Sequence, residues 1–466
     1  LAASNQRTET VAHLRVTVVP PPSGPPVIAP DAPRLDPFAT SEEQIEHRLR
    51  IARRAGHPRY VWGDLPMSSW AAGMRAVEGA VTQALARTPP LRGGSPIRIE
   101  TTGEVTARAL SVAAFTSGTG PLLGHWIEQG ALETPEEVAS VLAGHLAHAR
   151  ARAQRIRGHL ETLAPALARS GLRPVLLKGA HTAWRYFPEP GTRPSSDVDL
   201  FVPSSEGTEA ERILAEEGFR LRLRQRRPVR SVWMPPGETG RIRSLEVTHA
   251  QNPLTLDLHC SLDRDFYGVR HARVPDPAAE DREPVPGLPA PFQGLRGPML
   301  MLNLSLHASE DLYNLQLLRV VELVLVARGA PDPEALWRGS VEMARGWGAL
   351  GDAFPALALA ARLDARAVPQ AVVAAARAEA PPALRALVDR LSPGTAQRLE
   401  GITLSERLAG ARTPAEKLRR IAHMLVPDST GGSWRGLASL YVSRAYQLLR
   451  GRVRMASKPT PDDASE

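Results

Sequence analysis

The sequence predicts an α+β fold, with a small mixed β-sheet carried between helical regions on its N-terminal and C-terminal sides. Three observations lead there. Long Ala-, Leu- and Arg-rich stretches with helical spacing occupy both ends of the chain. Between about residues 171 and 268 the texture changes to short apolar runs broken by Gly and Pro turns. The order inside that window is strand, helix, strand, helix and then an antiparallel meander, which is a compact α/β unit. At 466 residues the chain is long enough for two or three folded units, and 43% hydrophobic residues suffice for their cores.

Taken in order, residues 1–40 are Pro-rich, centred on VVPPPSGPPVIAPDAP, and are expected to be a disordered, polyproline-like segment. An N-terminal helical region is expected over 41–170. Ser41 and Gln44 form a capping-box signature for a helix ending at Gly56, and SSWAAGMRAVEGAVTQALART continues the helical pattern. PLRGGSPIRIETTGEVTA reads as loop. A long helix then starts with Thr134 as its N-cap, Pro135 at its first position and Glu137 closing the box, and it stops near Gly171. Its arginines read as a solvated face, because no aromatic residues alternate with them.

The core is expected over 171–268. RPVLL is a strand, KGA a turn and AHTAWRYF a helix. DVDLFV is a second strand and SEGTEAERILAEEG a second helix. FRLRLR alternates as a strand with Phe219, Leu221 and Leu223 inward, and SVWM, RIRSLEVTH and LTLDLHC complete the meander. After a Pro-rich connection, a C-terminal helical domain is expected over 290–452 and a disordered tail over 453–466.

Several function classes drop out early. The single cysteine, Cys260, allows neither an intrachain disulfide nor a Cys-based zinc site, and it fits a reducing cytoplasm, the expected location. No apolar run approaches the ~18 residues a membrane helix needs, so no membrane partner is expected. The formal charge of +8, spread over a long chain, suits a small acidic partner as well as nucleic acid.

Three pieces carry chemistry. In RPSSDVDLFV, Asp197 and Asp199 lie two apart on a strand, so both carboxylates point the same way and repel each other. In LTLDLHC, Asp257 and His259 share one face while Leu254, Leu256 and Leu258 share the other. An unpartnered acid inside such an apolar strand is costly. In LLKGA, Lys178 and Gly179 turn a strand into a helix, whose N-terminus offers free backbone N–H groups to a phosphate. Three acids on two strands beside that turn suit hard divalent cations and a triphosphate.

At these residues the chain resembles the uncharacterised nucleotidyltransferase family of the DNA polymerase β-like superfamily. The resemblance rests on PVLLKGAHTAWRYFPEPGTRPSSDVDLFV followed by LTLDLHCSL, with Lys178, Gly179, Tyr186, Gly191, Arg193, Asp197, Asp199, Asp257 and His259 on the family pattern, and it extends over roughly 110–450. It implies a nucleotidyltransferase core and a Mg²⁺-dependent enzyme. Such an enzyme moves a nucleoside monophosphate from a nucleoside triphosphate to an acceptor and releases pyrophosphate. Asp197 and Asp199 would hold two Mg²⁺ ions, and Asp257 the catalytic ion. Gly179 and its helix would cradle phosphates, Lys178 and Arg193 would neutralise them, and His259 would stand behind the metal ligands. The serine that the wider superfamily carries at the turn is absent here. The acceptor stays open between small molecule, peptide, protein and tRNA. Two other readings compete. One is a metal-dependent glycosyltransferase, which has no use for Asp257. The other is a catalytically degenerate nucleotide-binding or partner-binding protein of the same fold. His307, Arg319 and Glu322 are read as an interhelical polar cluster outside the site.

Overall fold

The computed structural model describes residues 65–87, 95–226, 229–240, 242–246, 248–266, 270–397 and 403–425. The Pro-rich opening, the helix expected from Ser41 and the C-terminal tail lie outside the described residues. The described chain opens with α1 (Met67–Ala86), β1 (Ile97–Arg98), α2 (Ala107–Thr116), α3 (Gly120–Glu128), β2 (Leu132–Glu133) and α4 (Glu136–Arg169). The two-residue strand β1, within the stretch read as loop, pairs in parallel with β2, just before α4. Helix α4 begins one residue later than expected. Pro135, extended at ψ 143°, is the cap, and the Thr134 hydroxyl donates to the Pro135 carbonyl at 3.3 Å instead of capping the first turn.

The sheet-bearing segment follows: β3 (Val175–Leu176), α5 (Lys178–Arg185), β4 (Asp197–Phe201), α6 (Gly207–Glu216), β5 (Arg220–Arg226), β6 (Val229–Met234) and β7 (Thr255–His259). A small hairpin, β8 (Arg264–Phe266) and β9 (Arg270–Ala272), precedes β10 (Arg282–Pro284) and β11 (Gln293–Leu295). The rest is helical: α7 (Gly297–Glu310), α8 (Leu317–Arg328), α9 (Pro333–Gly346), α10 (Leu350–Leu363), α11 (Gln370–Glu379), α12 (Pro382–Asp389), α13 (Leu404–Arg407) and α14 (Pro414–Leu425).

Seven strands form one mixed sheet in the order β10-β11-β3-β4-β7-β6-β5. The pairs β4–β7 and β11–β3 are parallel and the others antiparallel. Alternation along the strands separates two cores. Val198, Leu200, Leu256, Leu258 and Trp233 pack on Ile156, Leu160 and Leu163 of α4 and on Ile213 and Leu214 of α6. On the other face, Phe201 and Leu295 join a second core with α7 and α8. The acids of β4 and β7 share that second face, beneath the C-terminal helices.

Four expectations need correction. Leu221 and Leu223 do not point inward; they are 44% and 47% exposed, because β5 is the outermost strand and its register slips between them. The described residues of RIRSLEVTH form no strand. The Asn252 amide oxygen accepts from Arg243 N and Ser244 N, and its nitrogen donates to Ser244 O and Glu246 O, so one side chain satisfies backbone groups that a ladder would otherwise use. The sheet also recruits β10 from the stretch read as a Pro-rich connection and β11 from the start of the region expected to be the C-terminal helical domain. The arginines of α4 are not all solvated, since Arg152 is 1% exposed. Among the described residues, no helix is long and apolar enough to cross a membrane.

Candidate functional site

The parallel pairing of β4 with β7 sets Asp199 directly opposite Asp257, Asp197 opposite Thr255 and Phe201 opposite His259. Opposed residues of neighbouring strands share a face, so Asp197, Asp199, Asp257 and His259 form one polar patch. Candidate ligand atoms of Asp199, Asp257 and His259 all lie within 4.8 Å of one another. Asp197 stands at the more exposed end of β4, outside that closest group, and its Oδ1 accepts from the Ser196 hydroxyl at 3.1 Å.

The alignment is held from behind by Arg152. Its Nε donates to Ser195 O at 2.7 Å, and its Nη2 donates to Ser196 O at 2.6 Å and Pro253 O at 2.8 Å. Its Nη1 donates to Asn252 O at 2.9 Å and His249 O at 3.3 Å. Five donors thus meet five carbonyls from the two segments that lead into β4 and β7. Burial lowers the Arg152 pKa to about 10, so the side chain stays charged at neutral pH. This role was not legible in advance, because a buried arginine and a solvated one look alike within a helical charge pattern.

The acids are partnered. Asp199 is 4% exposed and pairs with Lys178 Nζ at 2.9 Å through Oδ2, while His259 Nε2 donates to its Oδ1 at 2.9 Å. Burial raises the Asp199 pKa, but the Lys178 charge and the His259 hydrogen bond outweigh it and hold the carboxyl well below its usual range. Burial lowers the pKa of His259 against the pull of Asp199. Asp257, 2% exposed, accepts from Arg230 through Oδ2, and its Oδ1 is buried with no hydrogen-bond partner. Burial, reinforced by the charges of Asp197 and Asp199, pushes Asp257 up to about 7.

The turn differs in detail from the expectation. Helix α5 already begins at Lys178, whose φ of 36° is the only positive φ at a non-glycine residue among the described residues. Holding a lysine in the left-handed region costs on the order of 1 kcal/mol, and here it brings Nζ onto Asp199. Gly179 is required by close packing on its Cβ side. A Cβ there would sit 2.5 Å from Ser195 Oγ and 2.6 Å from Arg193 Nη1. Arg193, in turn, spends its guanidinium on Glu322, with Nε to Oε1 at 3.1 Å and Nη2 to Oε2 at 3.0 Å, and its Nη1 donates to Pro194 O at 2.9 Å. Thr182 of α5 also donates to Glu322. Glu322, read as remote from the site, therefore locks the loop that leads into β4.

The donor set suits a hard divalent cation. Two carboxylates and an imidazole converge, and the unpartnered Asp257 Oδ1 is the sort of buried atom that a cation satisfies.

A mixed sheet that presents acids from two parallel neighbouring strands beside a strand-to-helix turn places this chain among the nucleotidyltransferase folds. The model of a family described as uncharacterised nucleotidyltransferases matches residues 104–363 of the 466, and the chain belongs to that family. The match begins close to where the resemblance in the sequence begins and stops at the end of α10, short of residue 450. No curated protein and no solved structure matches the chain.

Proposed function

We propose that the protein transfers a nucleoside monophosphate from a nucleoside triphosphate to an acceptor hydroxyl, phosphate or amine, with release of pyrophosphate. The single observation that carries this reading is the register that opposes Asp199 to Asp257 and leaves Asp257 Oδ1 buried without a partner. Asp197, Asp199 and Asp257 would hold divalent cations, with Mg²⁺ the expected species and His259 orienting Asp199. The metal would supply charge neutralisation for the phosphates and the leaving pyrophosphate.

The chain's own groups do the rest. Asp257, opposite Asp199 on the neighbouring strand, is placed to accept the acceptor's proton. Lys178, at the start of α5, carries a point charge that exchanges Asp199 for a phosphate oxygen when the nucleotide enters. The N-terminus of α5, which begins at Lys178, would offer backbone N–H groups to the same phosphates. Arg193, whose donors are taken by Glu322 and Pro194, positions the Asp197 loop and does not meet the phosphates. Catalysis of this kind is mostly positioning and electrostatics.

Mg²⁺-dependent pyrophosphate release from a set of labelled nucleoside triphosphates, with a cell extract as the source of acceptor, tests the reading. Wild type should release pyrophosphate and deposit label on one class of acceptor, and Asp199→Ala should do neither. One observation favours the second reading, a nucleotide-binding protein without turnover: Lys178 and Arg230 already neutralise Asp199 and Asp257. Nucleotide binding by wild type with no release under any acceptor would establish that reading instead.

A further inference from the structure

The helix α7 packs in the core that contains Phe201 of the acid-bearing face and carries Asn303 and His307, one turn apart and so on one side of it. Neither is satisfied. Asn303 is 1% exposed; its Oδ1 accepts from Arg264 Nη2 at 2.8 Å, yet its Nδ2 is buried with no partner. Both ring nitrogens of His307 are shielded from solvent and bonded to nothing, and Arg264 Nε is likewise buried and unpartnered.

These groups adjoin the site. The charges of Lys178, Arg319, Arg264 and Arg193 all act on the His307 ring, and together with burial they hold it neutral, with one N–H to donate. Arg264 and Lys178 also act on His259, the partner of Asp199. Carboxylates balance much of this charge, with Glu310 3.5 Å from Arg264, Asp311 3.2 Å from Arg319 and Glu322 3.0 Å from Arg193. What is missing is acceptors. Native proteins rarely leave several buried donors orphaned in one place, and each costs free energy until something accepts from it.

Resting on the reading that a nucleoside triphosphate occupies the acid face, we infer that Arg264, Asn303 and His307 form the opposite wall of that site and take the oxygens of its polyphosphate tail. The ligand class follows from the chemistry of the wall. It offers donors backed by cationic charge, which a chain of anionic oxygens satisfies and a nucleobase does not. The C-terminal helices would thereby supply half of the nucleotide site. The sheet would hold the reacting phosphate through its acids, and α7 would hold the leaving part.

Inorganic tripolyphosphate tests this without requiring turnover. Its dissociation constant with Mg²⁺ present is measured by calorimetry for wild type, His307→Leu, His307→Gln and Asn303→Leu, alongside melting of each protein without ligand. Wild type should bind. His307→Leu and Asn303→Leu should each weaken binding by about tenfold or more, the loss expected for one hydrogen bond to a charged acceptor. His307→Leu should not melt below wild type, because it removes only orphaned polar atoms, whereas Asn303→Leu also takes the acceptor from Arg264 Nη2 and should melt somewhat lower, and His307→Gln should recover part of the affinity. Absence of tripolyphosphate binding by wild type overturns the inference. So does binding by His307→Leu within twofold of wild type, or failure of both leucine variants to fold, which would mark the cluster as structural. Pyrophosphate release is a separate readout. A wild type that binds tripolyphosphate but never turns over sinks the transfer reading and leaves this wall standing.

Discussion

Arg152→Met is the perturbation whose consequences the structure fixes most closely. Methionine fills much of the same volume but removes all five N–H groups, so the carbonyls of Ser195, Ser196, His249, Asn252 and Pro253 lose their common donor. Hydrogen bonds to a charged donor contribute about 1.5–3 kcal/mol each before the cost of burying the charge is subtracted. That cost is real here, since burial pulls the arginine down to about 10. Each buried carbonyl left without a donor costs about 1–3 kcal/mol, and with the burial cost of the charge recovered the expected net loss is about 3–5 kcal/mol. For a chain of this size it corresponds to a fall in melting temperature of about 3–5 °C. Urea denaturation of wild type and variant supplies the stability difference. Because Arg152 ties together the approaches to β4 and β7, the variant should also lose metal and nucleotide binding in conditions where it remains folded. A stability within about 1 kcal/mol of wild type, the scatter of an ordinary surface substitution, would refute the claim that this one side chain aligns the two acid-bearing strands.

Three further outcomes follow from the site. Asp257 has a folded pKa raised to about 7, against an unfolded value near 3.8, so its ionisation works against folding increasingly as pH rises between those values; Asp257→Asn should therefore melt above wild type at pH 8 without metal, with the gap closing toward pH 5, while abolishing activity. Asp199 has the opposite sign: its lowered pKa contributes stability that is fully present above the unfolded value near 3.8 and shrinks as the pH falls toward the much lower folded value, so Asp199→Asn should destabilise the metal-free protein most at pH 7 and progressively less below pH 4. Gly179→Ala drives a methyl group against Ser195 and against an Arg193 pinned by Glu322, and overpacking of that kind should cost about 1–3 kcal/mol in thermal denaturation.

How far the sequence reached depended on whether a pattern was local. Two-residue alternation in DVDLFV and LTLDLHC was enough to put Asp197, Asp199, Asp257 and His259 on common faces, and helical spacing located α1, α4, α5 and α6. The partners of those acids were not legible. That Arg230 meets Asp257 depends on the register between β6 and β7, in which Val232 opposes Asp257, and no motif encodes that register. Leu221 and Leu223 read as inward because alternation is blind to whether a strand has a neighbour to cover it. β10 and β11, three residues each in Pro-rich chain, carry too little periodicity to be seen. Glu322 lies in the apolar helix α8, and only tertiary packing reveals that it meets Arg193.

The account stands or falls on whether the opposed acids hold metal. Mn²⁺ binding, followed by electron paramagnetic resonance in the presence of a non-hydrolysable nucleoside triphosphate analogue, measures this directly. Wild type should bind the ion tightly, and both Asp199→Ala and Asp257→Asn should release it while still folded. Equal Mn²⁺ binding in wild type and both variants, or no binding in any of them, would show that Lys178 and Arg230 are the permanent partners of these carboxylates and that no metal belongs there.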